Sequence, residues 1–233
     1  MTKTSEYKKQ FEEEGIVIIP NFLNEEELSK AIENVKTTIT EDWWLSSCPK
    51  NVEDVGGDDY LKNTVWTKFT GSKQSWQEVD NEIQRMYSIK REHPHIYTYS
   101  FIRTANQNLI TPFQDLVRER FELISEITSL PITEFFSVFL SSYHRGCYLN
   151  DHTDLFVDEE NKPQLAMILN LTKGWHPTKG GLLFVLNDDD TIAKVAVPDY
   201  NTMVLMKLPR RHFVSEVAQP VTGTRQAFSG WLR

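Results

Sequence analysis

The chain has 233 residues, long enough to bury one sizeable hydrophobic core. Its 33 acidic residues outnumber its 25 basic ones, and a formal net charge of -8 gives no broad attraction for phosphate backbones, which argues against a nucleic-acid partner. No apolar run approaches the roughly 18 residues of a membrane span, no signal-peptide stretch opens the sequence, and Cys48 and Cys147 suit ordinary reduced thiols, so no membrane association and a cytoplasmic location are expected.

Gly15-Ile-Val-Ile-Ile-Pro20 is a short β-branched run closed by proline and reads as a strand. Asn24-Glu-Glu-Glu27 then opens a helix with Leu28, Ile32 and Val35 on one face. Across residues 40–105, Trp43, Trp44, Trp66 and Trp76 sit among polar residues without a sustained period, as in a lid, a substrate wall or an irregular cover. Thr111-Pro112 reads as the N-cap and first residue of a second helix, with Phe113, Leu116, Val117, Phe121, Ile124 and Ile127 at helical spacing up to Pro131. Beyond Pro131 the texture changes to short apolar or alternating runs near 135–143, 165–171, 181–187, 192–197, 202–208, 212–218 and 225–232. Turn-forming residues separate them, and Asp188-Asp-Asp190 reads as a hairpin turn rather than a calcium loop. The expected fold is α+β and mainly β, a jelly roll with supporting N-terminal helices. One domain is expected over 1–233, with helical support and a lid in 1–130 and most of the jelly-roll core in 131–233.

Chemistry concentrates in the second half. On a strand, residues two apart share a face, so His152 and Asp154 of His152-Thr-Asp154 can bind one ion while Thr153 points away. With His212, two imidazoles and one carboxylate can take one face of a non-haem Fe(II) and leave other positions open. His-x-Asp alone is short enough to arise by chance; the flanking residues add the specificity. They run from Tyr143-His-Arg-Gly146 through Leu169-Asn170, Gly180-Gly181, Pro198 and Asn201 to His212, Arg225 and Trp231.

In order and spacing these residues resemble the Fe(II)- and 2-oxoglutarate-dependent dioxygenases, specifically their prolyl-hydroxylase-like branch, over roughly 134–233. The resemblance implies a double-stranded β-helix, with His152, Asp154 and His212 as iron ligands and no further catalytic residue. It makes Arg225 the anchor of the far carboxylate of 2-oxoglutarate, through the fork of a guanidinium, and Tyr143 a helper near the cosubstrate. Where some family members have Tyr just before Leu-Asn, this chain has Ile168, so a second hydroxyl for that carboxylate has to come from elsewhere. Trp231 stands where nucleic-acid demethylases of the wider superfamily carry a further Arg, in keeping with the acidic charge. Fe(II), 2-oxoglutarate and O2 are the implied cofactors, with ascorbate or another reductant to restore Fe(II).

The implied reaction is hydroxylation of an unactivated aliphatic C–H of an amino acid, free or within a peptide or protein, with succinate and CO2 as coproducts. Arg145, Arg103, Arg211 and Trp231 are candidate substrate contacts. His93, His95, His144 and His176 fall at no ligand position. Two other readings stay open from the residues: a non-catalytic jelly-roll metal-binding or interaction module, and a cupin-like metalloenzyme that does not use 2-oxoglutarate.

Overall fold

A helix the sequence pattern did not announce opens the structure. Helix α1 (Lys3–Glu14) is capped by Thr2, whose side chain accepts from the Ser5 N–H, and its one buried residue is Phe11. With Phe11 and the partly buried Tyr7 as its apolar contacts it has too short a stripe to read; it rests on β1 and α5. Strand β1 (Ile16–Pro20) and helix α2 (Glu25–Thr37) follow as expected, and the Asn24 side chain caps α2 by accepting from the N–H groups of Glu26 and Glu27. These elements belong to a computed structural model that describes residues 2–37, 43–48, 65–70, 72–92, 98–154, 162–219 and 221–233.

The aromatic segment proves more regular than its sequence suggests. Strands β2 (Trp43–Cys48) and β3 (Val65–Phe69) pair antiparallel, and α3 (Lys73–Glu92) buries Val79, Ile83, Met86 and Ile89, a period of three and four. Strand β4 (Tyr99–Thr104) completes this region and pairs with β2. His93 and His95 lie outside the described residues.

Helix α4 (Gln107–Arg118) begins upstream of the expected Thr111-Pro112 start. The Asn106 side chain caps it by accepting from the Asn108 N–H, and burial of Leu109 and Ile110 extends the apolar face back by a turn, leaving Pro112 inside the helix. The expected single helix also divides, since α5 (Phe121–Thr128) is a separate element that ends at Ser129 in the left-handed conformation.

The remaining strands are β5 (Phe135–Tyr143), β6 (Tyr148–Thr153), β7 (Leu165–Asn170), β8 (Leu183–Leu186), β9 (Ile192–Ala196), β10 (Thr202–Lys207), β11 (Arg211–Val214) and β12 (Arg225–Leu232). They form an antiparallel sheet in the order β1-β10-β7-β12-β5-β4-β6-β11-β8-β9, which curls into a nearly closed jelly roll. Strand β4 joins the two halves by pairing with both β5 and β6. The first half of the chain therefore supplies β1 and β4 to this strand order, and β2 and β3 beside β4, as well as helices. The 212–218 run is strand only to Val214, after which a single bridge links Val217 to Gly180. The Asp188–Asp190 run turns β8 into β9 as expected.

The core under the helices lies on the sheet face opposite Ile168 and Ser229, where Met203, Leu205, Met167, Leu169 and Phe228 are fully buried and Phe228 stacks on Phe113 of α4 at 5.6 Å. At about 1.5–3 kcal/mol per buried large apolar side chain, these strands hold the roll shut and set the positions of the polar residues between them. Asn201 ties the helical layer to it: its side chain accepts from the Leu23 N–H and donates to the Leu23 carbonyl. Cys147 is a free buried thiol. No helix among the described residues is long and apolar enough to cross a membrane.

Candidate metal centre

Two cross-strand pairs build the site. The first is His152 on β6 directly opposite His212 on β11, with ring centroids 4.2 Å apart. The Nδ1 of His152 lies 2.9 Å from the Asn150 carbonyl oxygen, and the Nδ1 of His212 lies 2.9 Å from the Arg210 carbonyl oxygen. A carbonyl can only accept, so each Nδ1 carries the proton and each Nε2 keeps its lone pair. Both Nε2 atoms face Asp154, just past the end of β6, at 3.4 Å from Oδ1 for His152 and 4.0 Å from Oδ2 for His212. One ligand atom from each residue lies within 4.8 Å of the other two, so the group can hold one metal ion.

The electrostatics favour a cation. Burial, then the neighbouring His152, push the His212 pKa down to about 4, so its ring is neutral at pH 7. Burial alone would raise the Asp154 carboxyl; the adjoining His152 and His212 rings and the Trp231 indole N–H reverse this and hold it below the ordinary carboxylate range. Two lone pairs and a carboxylate thus converge in a nearly dry site, a donor set whose mutual repulsion a divalent ion relieves.

The second pair is Arg225 on β12 directly opposite Tyr143 on β5. Arg225 is only 3% exposed, its Nε has no hydrogen-bond partner, and among the described residues it forms no ion pair. Its Cζ lies 5.0 Å from the centroid of the Tyr143 ring, which stacks on Phe101 at 5.1 Å. Burial pushes the Arg225 pKa down and the Tyr143 pKa up. Arg225, Tyr143 and the three ligand residues all line one cavity of about 90 Å³, walled by apolar Leu149, Ile168, Leu183, Met206 and Val214.

Residues 138–233 match the family model of the 2OG-Fe(II) oxygenase superfamily, a span that contains every residue of both pairs and Asp154. This segment is similar to that superfamily. The fold of the whole chain agrees. It is similar to a Pseudomonas putida prolyl-4-hydroxylase, with a TM-score of 0.58 at 14% identity over 99% of this chain and 98% of that one. It is likewise similar to a 2OG-Fe(II) oxygenase-family oxidoreductase from Burkholderia pseudomallei, with a TM-score of 0.63 at 12% identity over 100% and 91%. A third likeness is a Trichoplax adhaerens prolyl hydroxylase in complex with a peptide fragment of the hypoxia inducible factor oxygen degradation domain, with a TM-score of 0.56 at 14% identity over 98% and 88%. No curated protein sequence matches the chain.

Within the matched segment, Gly181 makes room for the buried guanidinium. At φ +66°, a Cβ there would sit 3.1 Å from Arg225 Cδ and 3.2 Å from Val217 Cγ2, so the Gly180-Gly181 pair in the sequence marks a spatial need. Of the residues read as substrate contacts, Trp231 is the one that reaches the cavity, where its Nε1–H donates to Asp154 Oδ2 at 2.8 Å. Arg145 pairs with Asp80 of α3, and Arg211 pairs with Asp151 and Asp190; neither lines the cavity. Arg103 lies 4.4 Å over the Trp66 ring in an adjoining groove of about 460 Å³, which also takes in Trp44 and Phe139. Phe139 lines both spaces. Ser141 and Ser229, unremarked in the sequence, supply hydroxyl-bearing side chains to the cavity where Ile168 carries none. The signal for Ser229 was the period of two on β12, which puts it on the face shared by Arg225 and Trp231.

Proposed function

We propose that the chain is an Fe(II)- and 2-oxoglutarate-dependent dioxygenase that hydroxylates an unactivated aliphatic C–H of an amino acid, free or within a peptide. The observation that carries this reading is Arg225, a buried guanidinium without a counter-ion among the described residues, which faces the same cavity as three convergent metal-ligand atoms. A buried charge costs several kcal/mol unless it is paired, so a fold that keeps one unpaired reserves it for an anionic ligand. A metalloenzyme with no oxo-acid would leave that cost without a return.

In this reading His152, Asp154 and His212 hold one face of the ion, and the fixed Nδ1–H bonds to Asn150 and Arg210 keep both imidazoles in the metal-binding tautomer. Arg225 takes the far carboxylate of 2-oxoglutarate with paired N–H donors, and the ring of Tyr143 holds the guanidinium on its other side. The apolar walls exclude water, which strengthens that pair. When bound, iron and the oxo-acid supply the oxidising power: substrate C–H, 2-oxoglutarate and O2 give substrate C–OH, succinate and CO2. A reductant such as ascorbate keeps the ion ferrous between turnovers. The groove that shares Phe139 with the cavity, lined also by Trp44, Trp66 and Arg103, suits part of an amino-acid or peptide substrate.

The test is an anaerobically Fe(II)-loaded protein given 2-oxoglutarate, then oxygen, with pools of amino acids and peptides. Succinate together with a product heavier by one oxygen is expected. Failure of the metal-loaded protein to bind 2-oxoglutarate would overturn the reading, and bound metal with no substrate-dependent succinate would favour a non-catalytic module.

A further inference from the structure

Asp154 occupies an unusual place for a ligand that has to be held still. It follows Thr153, the last residue of β6, so no strand ladder fixes it, and the terminal torsion of an aspartate is intrinsically broad. Each histidine partner has its Nδ1 proton committed to a backbone carbonyl, so that proton is not available to the carboxylate. Among the described residues, the indole N–H of Trp231, 77 positions along the chain, reaches the carboxylate and donates to Oδ2 at 2.8 Å. Oδ1 is then the oxygen turned towards His152 Nε2.

Trp231 is itself aimed by its strand. The β12–β5 pairing shifts register between Trp231 and Leu232, a bulge that re-aims a side chain. At the preceding position, Gly230, a Cβ would fall 2.1 Å from the Ser137 carbonyl oxygen, so the two backbones approach too closely there for any larger residue. The Phe139 ring, 6.1 Å from the indole, backs it from β5.

We propose that Trp231 is a positioning residue of the metal centre, which holds the Asp154 carboxylate with Oδ1 presented to the ion. This assigns to it a part in metal binding rather than the substrate contact its sequence position suggested, and it rests on the proposed ligand role of Asp154. By keeping the carboxylate oriented before the ion arrives, the indole removes a reorganisation that metal binding would otherwise have to drive.

The test is a double-mutant cycle on metal affinity, read by optical titration of the metal-free protein with Co(II) and needing no turnover. Trp231→Phe keeps the ring and its packing but deletes the N–H; Trp231→His restores a ring N–H donor. In the native background, Trp231→Phe is expected to weaken Co(II) binding about 10-fold, the lower end for loss of a group that orients a metal ligand. In an Asp154→Ala background the same change is expected to cost less than about 2-fold, because the indole then has nothing to orient. Trp231→His is expected to recover part of the native affinity. An equal loss in both backgrounds would show that Trp231 acts through general packing and would overturn the proposal, as would no loss in either. Absence of Co(II) binding by the unsubstituted protein would instead remove the metal reading on which it rests. Should Trp231→Phe not fold, the comparison of Trp231→His with the unsubstituted protein decides, a loss exceeding 100-fold there being against the proposal.

Discussion

Replacing Arg225 with methionine separates what the guanidinium does for the fold from what it does for the ligand. The side chain is 3% exposed, its Nε is unsatisfied, and no ion pair with a described residue compensates its charge. Desolvation of such a charge costs several kcal/mol, and replacing buried ionic groups by apolar ones of similar volume is often neutral or stabilising by about 1–4 kcal/mol. Methionine keeps the length that packs against Gly181 and the Tyr143 ring. The ligand-free Arg225→Met protein is therefore expected to melt at the same temperature or higher, by about 2–4 °C for each kcal/mol gained in a chain of this size. Affinity for 2-oxoglutarate is expected to move the other way. Loss of a buried, charge-assisted pair costs about 2–5 kcal/mol, which is roughly 30- to 5,000-fold in Kd. Thermal melting without ligand and calorimetric titration of the Mn(II)-loaded protein with 2-oxoglutarate measure the two effects. A large fall in melting temperature with unchanged 2-oxoglutarate affinity would refute the reasoning, because the guanidinium would then be a structural group.

Gly181→Ala is expected to destabilise by about 1–2 kcal/mol through its positive φ, and to weaken 2-oxoglutarate binding by pressing on Arg225 Cδ; denaturant melts and the same titration check both. His212→Ala should abolish tight Co(II) binding, seen by metal analysis after dialysis, because it removes one of three donors. His144, outside the metal site, has its pKa pushed from an ordinary 6.5 down to about 4 by burial. The fold holds its neutral ring, so as pH falls the unfolded chain takes up the proton first; this contribution is full above about pH 6.5 and is lost as pH falls towards 4. His144→Gln should accordingly flatten the fall in urea midpoint across that window. Arg145→Ala breaks an exposed pair with Asp80 and is expected to change stability by about 1 kcal/mol or less and 2-oxoglutarate affinity not at all, by melting and titration.

The parts of the site that could be read in the sequence are those whose geometry is local or periodic. His152 and Asp154 share a face because they are two residues apart, and Arg225 and Trp231 share one because they are six apart on a strand. That β6 and β11 pair with the two histidines in register is a property of the sheet, legible only through the resemblance of the whole motif. The task of Trp231 was hidden for the same reason, since its partner lies 77 residues away and nothing in the β12 sequence points to it. Among the supporting elements, α1 has little sequence signal because only Phe11 is buried, and α3 has little because its apolar stripe of Val79, Ile83, Met86 and Ile89 is interrupted by polar and charged residues and follows an aperiodic tryptophan-rich stretch. At α4 a genuine local signal misled: Thr111-Pro112 has the chemistry of a helix start, but Asn106 caps a turn earlier, and the burial of Leu109 and Ile110 outweighs the one backbone bond that Pro112 cannot make.

A crystal structure grown anaerobically with Mn(II) and 2-oxoglutarate tests the central claim most directly. The expected result is one ion bound by His152 Nε2, His212 Nε2 and a carboxylate oxygen of Asp154, with the far carboxylate of the oxo-acid paired to Arg225. An ion bound elsewhere, or an oxo-acid whose far carboxylate leaves Arg225 without a partner, would contradict it.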